Sequence, residues 1–171
     1  MTVSCLISVL AASIDKRICE ERGASMSDSR VKTKVLFLCT GYACRSQMAE
    51  GWARRLKSDL IEAYSAGVRP AGVSSRAIEV MAEAGVDISA QRSQHVNDFT
   101  DMDFDFVITL CGNAKEKCPV FAGRVEHVHR AFDDPVMAMG TNDHSMTAFR
   151  KVRDEIRAFV ETLPESLESD V

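Results

Sequence analysis

The chain has 171 residues, 46% of them hydrophobic and 27% charged, which are the proportions of a soluble globular protein with a single core. A formal net charge of -4 argues against a general nucleic-acid binder, so any anion must be held by a local site. The apolar run Thr2 to Ile14 ends at Asp15, Lys16 and Arg17; it is shorter than the about 20 residues that span a bilayer and lacks the basic start of an export signal.

Residues 1–30 read as an N-terminal extension, either disordered or the product of a misassigned start, with Met26 as the alternative first residue. Residues 31–171 read as one domain. Six cysteines without an export signal point to metal or redox chemistry in the cytoplasm and not to a secreted disulfide framework. Cys5 and Cys19 lie in the extension and receive no role.

In chain order, Val35 to Leu38 is a short continuous apolar run and predicts a buried parallel strand. It leads into Cys39-Thr40-Gly41-Tyr42-Ala43-Cys44-Arg45-Ser46 and then a helix with Met48, Trp52 and Leu56 on one face. At such a strand-to-helix turn, backbone N–H groups converge on one anion and the helix N-terminus adds positive potential. Arg45 can fork onto two oxygens of a tetrahedral oxyanion. The same field favours the thiolate of Cys39, to which Ser46 can donate a hydrogen bond. Cys44 is a small packing thiol inside the turn.

Ile61 to Ala66 predicts a second strand closed by Gly67. A helix from Ser75 follows, with Ala77, Val80, Met81 and Ala84 facing inward and Gly85 at its C-terminus. Phe104 to Leu110 predicts a third strand ending at Cys111, and Val125 to His129 a weaker fourth with His127 and His129 towards solvent. The last helix carries Phe149, Val152, Ile156, Phe159, Val160 and Leu163 and stops at Pro164; residues 165–171 read as a frayed acidic tail. Alternating strands and helices imply an α/β fold, an open four-stranded parallel sheet with helices on both faces. Ligands bind such sheets beyond the C-terminal strand ends. Cys39, Cys111 and the Asp133-Asp134-Pro135 turn all follow strands, so all three are expected at one sheet edge.

Cys111 and Cys118 form a second constellation. On one continuous helix their Cα atoms would stand about 10 Å apart, whereas a disulfide needs less than about 7 Å. Pairing them therefore requires the segment to unwind, which Gly112, Asn113 and the lack of large apolar side chains between them make inexpensive. Lys115 and Lys117 would help hold Cys118 as a thiolate. Taken alone, Cys111 reads as a buried thiol and Cys118 as an incidental surface one; Cys39 at the same edge reverses that preference. Six intervening residues fit zinc-ligand spacings poorly, and no metal site is expected. Asp134 reads as a general acid opposite the thiolate, and Asp133 as structural.

These motifs resemble the thioredoxin-coupled arsenate reductases, which are built on the low-molecular-weight tyrosine phosphatase fold. The resemblance covers residues 33–163 and is carried by Cys39-Thr40-Gly41, Cys44-Arg45-Ser46-Gln47-Met48-Ala49-Glu50, Thr109-Leu110-Cys111-Gly112, Cys118-Pro119 and Asp133-Asp134-Pro135. Phosphatases of this fold usually place proline at the position of Gln47 and tyrosine at that of Val136. The resemblance implies that Cys39 attacks arsenate held by the loop and Arg45, with Asp134 assisting loss of an oxygen. Cys111 then attacks Cys39 and releases arsenite, and Cys118 attacks Cys111 to give a disulfide that thioredoxin reduces. It implies a monomer that uses no metal or organic cofactor. Tyr42 and Ala43 stand where family members usually carry asparagine and serine, and tyrosine at positive φ is uncommon. Glu50 and Ser65 match a potassium site found in some relatives, but Tyr42, Arg92 and Gln94 do not, so no potassium site is expected. Two rival functions follow from the same residues. One is a tyrosine phosphatase using Cys39, Arg45 and Asp134 alone; the other is a non-catalytic oxyanion-binding or redox-sensing module with a compromised loop.

Overall fold

The structure, a computed structural model, describes residues 31–41, 44–138 and 141–168. The expectations for residues 1–30 and for Tyr42 and Ala43 lie outside the described residues. Four strands, β1 (Thr33–Gly41), β2 (Ile61–Arg69), β3 (Phe106–Thr109) and β4 (Glu126–His129), form a parallel sheet in the order β2-β1-β3-β4. The helices are α1 (Arg45–Leu56), α2 (Ser75–Glu83), α3 (Gly112–Glu116), α4 (Asn142–Glu161) and α5 (Glu165–Glu168).

Side chains of β1 alternate between two apolar layers, which is why Val35 to Cys39 are all buried. Val35 and Phe37 enter the layer beneath α1, α2 and α4, with Met48, Trp52, Met81, Phe149, Val152 and Ile156. Leu36 and Leu38 enter the other, closed by a 3-10 turn at Val96–Phe99, by Ala114 of α3 and by the rings of Phe99, Phe104 and Phe121. The aromatic rings meet edge-on, Tyr64 with Phe104 at 5.5 Å and Phe104 with Phe121 at 5.9 Å between centroids. This second face is thus covered largely by loops and short turns.

Helix α2 closes as expected. Gly85 has φ +76° and sends its N–H to Ala82, while Val86 N–H returns to Met81. Other details differ from the sequence reading: β3 runs from Phe106 to Thr109 and not from Phe104 to Leu110, and β4 starts at Glu126 and not at Val125. Strand β2 runs on through Gly67 to Arg69, because Gly67 pairs with Cys39 and Arg69 with Gly41. Leu56 lies 37% exposed at the end of α1, off the buried face. Residues 165–168 are helical and not frayed, since buried Leu167 closes the main core and its N–H bonds Pro164 O.

Candidate active site

The C-terminal ends of β1, β2 and β3 open onto one cavity of about 560 Å³. Thr40, Gly41, Arg45, Cys111 and Asp134 line it, each of them expected from the sequence. Cys39 lies beneath, fully buried, with Sγ 3.1 Å from Ser46 Oγ. Helix α1 starts at Arg45 with no acidic residue in its first turn, so its N-terminal field is left to an external anion.

Arg45 is 4% exposed and is held from both sides. Its Nη1 donates to Phe132 O at 3.0 Å and its Nη2 to Asp134 Oδ2 at 2.9 Å. Nε is buried with no partner among the described residues. A buried charged donor of this kind is costly unless something accepts from it, and an oxyanion is the natural acceptor. Asp134 is fixed in turn by Val136, whose N–H donates to Oδ1 at 3.2 Å, at the cap of the 3-10 turn Pro135–Met137. Asp133 points away and pairs with Lys151 on the surface, a structural role as expected.

Burial pushes the Cys39 thiol above its ordinary value; the Ser46 side chain and backbone and the Arg45 charge pull it down, and Cys111 pushes it up again. The net direction is upward. This corrects the expectation that the loop field makes Cys39 a thiolate: in this conformation desolvation outweighs the field. Cys44 is buried in the main core and pushed up to about 12, chiefly by burial and then by Cys39, as befits an inert packing thiol.

Cys111 caps the N-terminus of α3 and is 8% exposed. Its Sγ lies 2.9 Å from Thr40 Oγ1, which joins the second cysteine directly to the turn that carries the first. Helix α3 ends at Glu116, so Cys118 stands beyond it, partly buried, in a separate groove of about 550 Å³. Burial pushes its thiol up as well. That corrects the expectation that Lys115 and Lys117 hold it as a thiolate: half-burial against the apolar layer prevails.

Arg69, Pro70, Ala71 and Asn113 also line the cavity, and sequence reasoning missed them. The available signal was strand order: a second parallel strand must end at the same edge. Glu50, the acid of the potassium comparison, is buried at 6% exposure, accepts from Ser65 Oγ and pairs with Arg54 at 2.5 Å. Among the described residues no helix is long and apolar enough to cross a membrane.

Residues 34–171 match the family model described as low molecular weight phosphotyrosine protein phosphatase. The chain belongs to this family. Within it, the chain is 44% identical over 135 residues to an arsenate reductase of Halalkalibacterium halodurans, covering 79% of this chain and 97% of the relative. It is 44% identical over 132 residues to the arsenate reductase of Bacillus subtilis, covering 75% and 95%. A solved arsenate reductase in its phosphate-binding state shares the fold with a TM-score of 0.57 and 34% identity, covering 77% of this chain and 95% of that one.

Proposed function

We propose that this protein reduces arsenate to arsenite through Cys39, Cys111 and Cys118 and is recycled by thioredoxin. One observation carries the reading. Hydrolysis of a phosphoester on this fold uses a single thiol, yet Cys111 lines the cavity and bonds Thr40 beside Cys39. The names of the relatives support the same activity.

Arsenate sits in the loop of Thr40, Gly41, Tyr42, Ala43 and Cys44, with Arg45 Nε and the start of α1 facing its oxygens. Cys39 gives its proton to an oxygen of the bound arsenate, Ser46 donates to the resulting thiolate as it attacks arsenic, and Asp134 gives a second proton to that oxygen, which leaves as water. Cys111 then attacks Cys39 Sγ. A sulfur–sulfur bond forms, the sulfur–arsenic bond breaks, and its electron pair stays on arsenic, which leaves as arsenite. Cys118 attacks Cys111, frees Cys39 and carries the disulfide to the surface, where the dithiol of thioredoxin reduces it.

The reaction runs in the cytoplasm, in a monomer, within residues 31–171, with residues 1–30 as an extension; it uses no metal or organic cofactor. Slow phosphatase activity through Cys39, Arg45 and Asp134 accompanies it, since phosphate and arsenate have the same shape and charge. The test is NADPH oxidation on adding arsenate to the protein with thioredoxin and thioredoxin reductase. Sustained oxidation that disappears in Cys118→Ser supports the relay. Hydrolysis of an aryl phosphate with no oxidation overturns it and leaves a phosphatase.

A further inference from the structure

We infer that His127 is the base that activates Cys118. The inference rests on the relay proposed above and assigns it a fourth participant. His127 Nδ1 lies 3.8 Å from Cys118 Sγ, within reach of the thiol proton when Nδ1 is the unprotonated ring nitrogen. The residue is exposed, but two contacts fix its place. Its backbone is in register with Val107 of β3, and its ring lies tilted against Phe121 at 6.3 Å between centroids.

The other groups of this groove are poor candidates. His129 Nδ1 is taken up by Thr109 Oγ1 at 2.8 Å. Lys115 lines the groove, but an ammonium has no lone pair with which to accept a proton. A neutral imidazole has one. The need for a base is also plain, because burial holds the Cys118 proton on. Sequence alone offered His127 only as one of two alternating histidines on a weak strand.

The step balances without any added reagent. Cys118 Sγ–H passes its proton to Nδ1, and the thiolate attacks Cys111 Sγ. The Cys39–Cys111 bond breaks, Cys39 leaves with the electron pair and is protonated from solvent, and the imidazolium returns its proton to solvent. One disulfide replaces another, with no net oxidation.

The test is the rate at which iodoacetamide labels Cys118 in the reduced full-length protein near neutral pH, read on the Cys118 peptide by mass spectrometry. His127→Gln should label about tenfold more slowly near neutral pH, in proportion to the lost thiolate, and the deficit should close as the pH is raised and the thiol ionises without a base. Lys115→Gln should label close to the wild-type rate. Wild-type labelling of His127→Gln near neutral pH, or a deficit that persists when the pH is raised, overturns the assignment. Failure of the relay itself shows in a different measurement, as sustained arsenate turnover by Cys118→Ser, whatever the labelling rates are.

Discussion

Cys39 and Cys118 carry the same functional group in opposite settings. Cys39 closes the buried stretch Val35 to Cys39 of β1, pairs in register with Gly67, and lies 3.1 Å from Ser46 at the start of a twelve-residue helix. Cys118 follows a five-residue helix whose only buried side chain is Ala114, and it borders exposed Val120 and His127. A nucleophile that must meet an anion in one orientation belongs on the rigid side. The proposed relay asks a thiol to travel to a second sulfur and then to another protein, and such a thiol belongs where little burial is lost on local opening. The contrast is one of mechanical stiffness. Charge does not separate them, since burial raises both thiols.

The largest effect should come from the rigid side. Cys39→Ser should lower arsenate turnover by at least about 10³-fold while leaving the fold intact, as the hydroxyl is a far poorer nucleophile here. Steady-state assay with unchanged circular dichroism checks this; substantial residual turnover would break the contrast. Ser46→Ala should follow, with turnover down about 10- to 100-fold and the Cys39 thiol titrating at higher pH, because a hydrogen bond to the thiolate is lost. Ultraviolet titration of the thiolate reads that shift directly.

On the loose side, Gly112→Ala puts a Cβ into open space in the first turn of α3. It should stabilise that helix by up to about 1 kcal/mol and slow disulfide transfer to Cys118 a few-fold. Transfer at the wild-type rate would mean that α3 need not unwind. The smallest effect concerns Glu50, whose carboxyl is raised by burial against the pull of Ser65 and Arg54. A raised carboxyl holds its proton longer in the folded state, so it costs stability as pH rises above 4.5. Glu50→Gln should flatten that part of the stability curve in urea unfolding; an unchanged slope would contradict it.

Most of the edge that forms the cavity was legible in the sequence, because period and topology decide it. A continuous apolar run before Cys39, and strand ends at Cys111 and the Asp133-Asp134-Pro135 turn, place those residues together in any parallel sheet. Other features were not legible because they depend on packing across the fold. Arg69 reaches the site only because β2 stays paired past Gly67. Leu167 turns a polar-looking tail into a helix by filling the core. The upward shift of Cys39 and Cys118 needed their burial, which local charge patterns do not reveal. His127 met Cys118 only through the register of β4 on β3.

The central claim is that the first disulfide joins Cys39 to Cys111, before Cys118 takes part. Reduced Cys118→Ser protein, mixed with one equivalent of arsenate and no thioredoxin, should be quenched by acid and its disulfide mapped by peptide mass spectrometry. A Cys39–Cys111 cross-link formed with one equivalent of arsenite is the result predicted. Free Cys111 beside consumed arsenate, or a protein that leaves arsenate untouched, would contradict it.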